Sequence, residues 1–600
     1  MFIFCLNLQA QVLKVTPTKT TAVYAVNEPI QFRISSTVGG QGTWEIYYES
    51  RNPQSVIRRG TYDFTNRRDT TITFTPKQAC VLFFKTNLGV FGDIASVAVN
   101  PLDIQPIEEE PTDFDAFWNQ QKQTLATVPM NPVLTLISVL PNGSRLSYLQ
   151  LNNVNGRKVQ GYIAVPSGSG KFPGVILLPP FGDAPLQAES FIMTDFAEKC
   201  KAIVIYLSAH NTRPDVLDPN AYKPDNNLTA DGYYNRFMVL GGLRAIEYLT
   251  SRTDYNGNLG VTGMSQGAGW AIMLAGLNAN VKACMAINPA SGEQMGWRFH
   301  RASGFPIYMQ RAISLNQDTN VVKRTAKYHD IIYFMRRYRG QLMVQTGYED
   351  DVTPAATQFA AYNQHRAMST LMHMRDLGHT YPEEYWFGRY AFFKQHLTGF
   401  ENPFTFKKSF ALDILGGDRL DVRKDTIQVS TLLSIDGIVN STTGMNWAIV
   451  SRPANGNAIF SPVNARRMAI RFTSGGTYVL RVTAEEPYLI NDPNKALAYT
   501  LVNYITVRVS GVGTEELDEA SAIQVLPNPA LSEVLLIWQP EKAFQNVRLF
   551  NMLGQVVLEK RVQNAHSQLK IDISHLAKGT YQIELTDKTG KPTLKRMVKS

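Results

Sequence analysis

The stretch Gly263-Met264-Ser265-Gln266-Gly267 restricts the fold more than any other part of this chain, because of what flanks it. Ahead of it runs the strand-like Leu259-Gly260-Val261-Thr262, and behind it the helix-like Ala268-Gly269-Trp270-Ala271-Ile272-Met273-Leu274-Ala275. The five-residue pattern alone recurs by chance, but a strand, the pattern and then a helix is the arrangement that lifts a serine hydroxyl above a sheet on a strained turn. Small glycines let that turn close, and the helix start supplies N–H donors facing developing negative charge. The context predicts that Ser265 is a nucleophile.

The surroundings agree with a parallel sheet. Asp113 to Thr127 is helix-like, and strands such as Gly174-Val175-Ile176-Leu177-Leu178 alternate with helical stretches such as Phe237 to Leu249. That alternation implies a mostly parallel, doubly wound sheet. The flanks differ. From Val12 to about Asn100, short alternating runs such as Ile30-Gln31-Phe32-Arg33-Ile34 and Thr70-Thr71-Ile72-Thr73-Phe74 lie between turn residues and read as a β-sandwich. The acidic linker Gln105-Pro106-Ile107-Glu108-Glu109-Glu110-Pro111 follows. Beyond Phe404 short strands return, as the chain's 600 residues, too many for a single core, would suggest.

Composition removes several function classes. The net charge of +9 is spread thinly, with no run of five or six Lys or Arg, so nucleic-acid binding is not expected. No stretch after the start reaches the ~18 apolar residues that span a bilayer, so no transmembrane segment is expected. Residues 1–10, Met1-Phe2-Ile3-Phe4-Cys5-Leu6-Asn7-Leu8-Gln9-Ala10, read as the remainder of a signal peptide whose start codon lies upstream. Cys80, Cys200 and Cys284 are then left, an odd number that makes no disulfide scaffold and no zinc motif; Cys200 and Cys284 read as buried thiols. Neither a metal nor an organic cofactor is expected.

A serine nucleophile needs a base and the base an orienting acid, in the chain order Ser, Asp or Glu, His for such a sheet. After the strand-like Gln341-Leu342-Met343-Val344-Gln345-Thr346 come Glu349, Asp350 and Asp351, at a strand end where ligand sites of open α/β sheets gather. Spacing alone does not choose among the three. After the next apolar strand, Leu371 to Met374, comes Asp376-Leu377-Gly378-His379, and His379 is placed to take the Ser265 proton. His373, inside that strand, reads as a packed core residue, and His365 and His396, in helical patterns, as surface groups.

Residues 105–402 resemble the acetyl xylan esterase and cephalosporin C deacetylase family, carbohydrate esterase family seven. The similarity rests on Pro111-Thr112-Asp113-Phe114-Asp115-Ala116-Phe117-Trp118, Val159 to Pro166, Gly260 to Gly267, Phe359-Ala360-Ala361-Tyr362-Asn363 and Gly378-His379. It implies an α/β-hydrolase fold with the triad Ser265, Asp350 and His379, and an oxyanion hole from the backbone N–H groups of Gln266 and Phe181. Two departures stand out: the family's Arg-Gly-Gln falls near Ala209-His210-Asn211, and its His-Glu pair is His379-Thr380. Ala209 carries no charge, although His210 and Arg213 lie close in sequence and are candidates to compensate.

The segment from Trp447-Ala448-Ile449-Val450 to Gly476-Thr477-Tyr478-Val479-Leu480-Arg481-Val482 resembles the end of an immunoglobulin-like or PKD-type sandwich, with Trp447 and Tyr478 as core residues. The module from Ile523 to Ser600, with Leu526-Pro527-Asn528-Pro529-Ala530, Leu549 to Gln555 and Gly579-Thr580-Tyr581, resembles the C-terminal sorting domain of the Bacteroidetes type IX secretion system. The expected organisation is multidomain: residual signal at 1–10, N-terminal β-sandwich at 12–104, a central α/β-hydrolase at 105–402, an immunoglobulin-like or PKD-like sandwich at 404–511 and the sorting domain at 523–600. The resemblances imply a secreted or surface-attached serine esterase, exported through the periplasm of a Gram-negative bacterium, that removes acetyl groups from xylan or its oligosaccharides. The flanking modules favour a monomer or small oligomer. A broad carboxylesterase or peptidase on the same fold, and an inactive carbohydrate-binding adhesin, are the competing expectations.

Overall fold

The computed structural model describes residues 12–398, apart from short gaps of which 183–190, 297–303 and 305–312 are the longest, and most residues of the strands between 426 and 599. The expected signal remnant at 1–10 lies outside the described residues. Contacts divide the chain into two compact units, Met1–Lys407 with Thr483–Asn503, and Lys408–Val482 with Tyr504–Ser600.

The first unit begins with two sheets. Leu13–Pro17, Ile30–Ser36 and Asp69–Phe74 form one; Val23–Tyr24, Phe91–Val99, Cys80–Leu88, Gln41–Tyr48 and Val56–Asp63 form the other. Apolar residues alternate with exposed ones along Ile30–Ser36, as a strand buried on one face requires. The two inner faces meet where the Phe32 ring stacks on that of Phe84 with centroids 4.5 Å apart, and neither ring is exposed.

The larger sheet is numbered here along the chain: β1 (Val133–Val139), β2 (Arg145–Asn152), β3 (Lys158–Val165), β4 (Phe172–Leu178), β5 (Ile203–Leu207), β6 (Tyr255–Met264), β7 (Val281–Ile287), β8 (Gln341–Gly347) and β9 (Ser369–Met374). Its spatial order is β1-β2-β3-β5-β4-β6-β7-β8-β9, antiparallel from β1 to β5 and parallel from β5 through β4 to β9. This is an α/β-hydrolase sheet. Its central strands are apolar almost throughout because helices cover both faces. The helix α1 (Tyr234–Ser251) is buried around most of its girth, and α2 (Gln266–Leu277) nearly all round.

From β4 the chain crosses to β5 on one side and then returns to β6 on the other. Such a reversal leaves a crevice at the carboxyl ends of the two adjacent strands, where open α/β sheets bind ligands. Phe181 follows β4 and Ser265 follows β6, so both lie at that crevice.

Three features were not anticipated from sequence. Residues 497–502 pair antiparallel with β9 and extend the hydrolase sheet, although they lie far beyond residue 402. Thr500 Oγ1 lies 2.8 Å from His373 Nε2, while His373 Nδ1 meets Tyr348 Oη at 2.5 Å. His365, expected at the surface, is buried with its ring centroid 5.3 Å from that of Tyr338; it follows the C-terminal end of a helix that is itself buried on all sides. His396 is half-buried against Phe392. Cys200 and Cys284 are buried, and burial pushes the Cys200 thiol up to about 12.

In the second unit, Tyr478 is fully buried with Phe472, Leu480 and Val507, and Trp447 packs at the margin of that core. A second core there gathers Trp538, Leu549, Tyr581 and Met597 from the C-terminal strands.

Candidate active site

Ser265 sits between β6 and α2 with φ 56° and ψ −119°, a conformation that a non-glycine residue adopts only under constraint. The constraint is visible. Its N–H donates to Ile287 O at 2.8 Å, and its carbonyl accepts from Gly269 and Ala290 N–H at 3.0 Å each. Two glycines are obligatory around it. A Cβ on Gly263 would lie 2.4 Å from the carbonyl carbon of Gly267, and one on Gly267 would lie 2.3 Å from Leu178 O. The bare Gly267 backbone thus lets the start of α2 press against the end of β4, bringing the Gln266 N–H and the Pro179–Phe181 turn into one neighbourhood. The Phe181 ring packs on Tyr222 with centroids 4.1 Å apart, and the Tyr222 hydroxyl accepts from Gly182 N–H at 3.1 Å.

The structure separates the three carboxylates that spacing left open. Asp350 is fully buried, and its Oδ2 accepts from His379 Nδ1 at 2.8 Å. Its Oδ1 accepts from the backbone N–H groups of Val352 at 2.9 Å and Thr353 at 2.7 Å. Asp351 instead faces outward and pairs with Arg51. Glu349 lies between, its carboxyl pushed up to about 7 by burial, with Asp376 and Asp93 adding to the rise and Arg51 and Arg375 opposing it. The Nδ1–H to Asp350 bond leaves Nε2 of His379 as the acceptor nitrogen, as a base requires.

Two residues of this site had no motif to announce them. The Thr353 hydroxyl lies 2.8 Å from Asp350 Oδ2, 3.2 Å from His379 Nδ1 and 3.1 Å from Asn288 O. Asn288, just past β7, accepts from Gly347 N–H at 3.0 Å and donates to Thr380 O at 2.8 Å. The only available signal was a threonine three residues after an aspartate, a common turn pattern. Residues 287–290 are thereby bonded to Ser265 on one side and to the neighbour of His379 on the other. Among the described residues no hydrogen bond joins Ser265 Oγ to His379, whose ring bonds run to Asp350 and Thr353; such contacts are commonly loose before substrate arrives.

In the departing segment, His210 Nδ1 meets Tyr234 Oη at 2.7 Å and its ring stands edge-on to Tyr222 at 4.5 Å. Arg213 forks onto Asp215 at 2.9 and 2.8 Å. Both candidate replacements for the missing arginine are therefore engaged locally. The described residues contain no group of three or more His, Cys, Asp or Glu able to hold a metal.

Residues 101–189 and 226–397 match the acetyl xylan esterase family, a span that includes Phe181, Ser265, Gln266, Asp350 and His379. The central region is similar to that family. The match is interrupted across the segment that contains Ala209-His210-Asn211. Residues 524–600 match the secretion system C-terminal sorting domain. The acetyl esterase Axe7A of Xylanibacter ruminicola is 28% identical over 289 residues, which is 46% of this chain and 65% of that relative. The chain thus matches slightly less than two thirds of the relative's length. Among solved structures, acetyl xylan esterase 1 from Thermoanaerobacterium sp. JW/SL YS485 is 18% identical, with 49% of this chain and 97% of that one covered and a TM-score of 0.45. The acetyl xylan esterase from Paenibacillus sp. R4 is 20% identical, with coverages of 50% and 98% and a TM-score of 0.44.

Proposed function

We propose that this protein is a secreted serine esterase that removes acetyl groups from carbohydrate, with acetylated xylan or xylo-oligosaccharides as substrate. The observation that carries the reading is the buried Asp350 bonded to His379 at 2.8 Å, in the same family-matched region as the constrained Ser265. In the proposed reaction Ser265 Oγ attacks the acetyl carbonyl while His379 Nε2 takes its proton. The N–H groups of Gln266 and Phe181 hold the oxyanion. His379 then returns the proton to the departing sugar hydroxyl, and water, deprotonated by the same imidazole, cleaves the acetyl-enzyme to acetate. Asp350 holds the imidazole in the required tautomer.

The sorting domain at 524–600 makes the protein a type IX secretion substrate, released or attached at the cell surface. Residues 12–104 serve as an N-terminal β-sandwich and residues 404–511, apart from 497–502 in the hydrolase sheet, as an immunoglobulin-like or PKD-like sandwich, in a monomer or small oligomer. Acetate release from acetylated xylan and from a small acetyl ester, compared between the wild type and Ser265→Ala, tests the reading. Activity on both that the substitution abolishes supports it. Activity surviving in Ser265→Ala, or a folded but inactive wild type, overturns it, the latter favouring a carbohydrate-binding adhesin.

A further inference from the structure

The loops that bear Asp350 and His379 are packed against each other. Tyr348 N–H donates to Met374 O at 2.9 Å and Glu349 N–H to Leu377 O at 3.0 Å, and a Cβ on Gly347 would lie 2.5 Å from Gly378 O. Both loops also touch the N-terminal sheet pair. Arg51, between the strands Gln41–Tyr48 and Val56–Asp63, forms an ion pair with Asp351 and donates to Glu349 O at 3.4 Å, so it grips the residues on either side of Asp350. The buried Ser96, in Phe91–Val99, donates to Arg375 O at 2.9 Å in the loop that leads to His379.

We propose that Arg51 is a positioning residue for the Asp350–His379 pair, so that the N-terminal sheet pair braces the catalytic loops from outside the hydrolase. From within, Thr353 and Asn288 hold the same loops on the side of the sheet. Arg51 reaches them from the N-terminal sheet pair, just past the end of β8. It also sets a positive charge beside a crowded group of acids, since Glu349 lies near Asp93 and Asp376. The ion pair is partly exposed and adds little to overall stability, as is usual at a surface. Its consequence is geometric: the Asp350 carboxylate has to meet a ring nitrogen at hydrogen-bond distance, and small displacements of such a pair are costly for turnover.

The inference rests on the esterase reading, and its test separates the two. Full-length wild type, Arg51→Ala, Asp351→Asn and the double variant are assayed on a small acetyl ester, with Arg33→Ala, which breaks the surface pair to Asp69, as control. The expected result is a kcat lowered about tenfold in each single variant, with KM within about twofold. The double variant is no worse than the poorer single one, as residues acting through one contact should be. Amide exchange across 348–354 and 375–380 quickens in all three, and Arg33→Ala changes neither readout. Unchanged kcat in both single variants, multiplicative losses in the double variant, or unchanged exchange in these loops overturns the inference. If Arg51→Ala fails to fold, Asp351→Asn, at an exposed carboxylate, decides alone. An inactive wild type defeats the esterase reading, and the exchange measurement then decides whether Arg51 holds the loops.

Discussion

The turn that carries Ser265 and the paired loops that carry Asp350 and His379 are built by opposite means. The first is fixed by main-chain packing around five residues: two glycines that admit no Cβ, and a serine held at positive φ by three main-chain hydrogen bonds. The second is fixed by side chains, some near Asp350 in the chain, Thr353 and Gln358, and some distant, Asn288 and Arg51. A locally encoded turn should tolerate no change of shape. A turn held by a network should lose function in steps as members are removed.

The largest step is expected at Asp350. Asp350→Asn leaves the fold intact and lowers kcat by about 10⁴, because the imidazole loses its orienting acceptor; the neighbouring Asp351→Asn loses far less, and steady-state kinetics on a small acetyl ester compare them. Equal losses at the two positions would erase the distinction drawn between them. Next comes the serine turn, where Gly263→Ala forces a methyl onto the Gly267 carbonyl carbon. A destabilisation of about 3 kcal/mol or more is expected in denaturant unfolding, together with loss of activity. A stable, active variant would show that the turn relaxes more easily than its contacts imply.

Thr353→Val tests the network at an intermediate scale. It keeps the shape but removes the hydroxyl from Asp350 and His379, and a kcat about ten- to a hundredfold lower is expected, in line with about 1–3 kcal/mol for an unmade buried bond. Thr353→Ser should recover most of the loss. The smallest effect belongs to Glu349. Its folded pKa of about 7 lies above the ordinary carboxylate value of 4.5, so the native state binds the proton more tightly than the unfolded chain does. That contribution is present in full below about pH 4.5 and is lost as pH rises through about 7. Glu349→Gln should therefore gain stability relative to wild type between pH 5 and pH 8 in thermal melts, and an unchanged difference would contradict the burial of this carboxyl.

The same contrast explains what could be read from the sequence. Gly263 to Gly267 announced its role because the constraint is local, and the alternation of apolar strands and helices announced the parallel sheet for the same reason. The choice among Glu349, Asp350 and Asp351 was closed in the sequence by family resemblance alone, since three successive carboxylates carry no spacing signal for which one turns inward. Thr353 and Asn288 were missed because their partners are defined only once β7, β8 and β9 lie side by side. His365 was misplaced because an apolar stripe on a helix does not show that the other faces are covered too. Pairing of residues 497–502 with β9 joins segments more than a hundred residues apart, and alternation along a strand names no partner.

The most direct test of the central claim is to label the nucleophile with a serine-reactive organophosphonate and locate the phosphonyl-serine adduct by peptide mass spectrometry. The account predicts a single modified site at Ser265, formed in wild type and suppressed in His379→Ala. Modification of a different serine, or rapid labelling of Ser265 that is indifferent to His379, would contradict it.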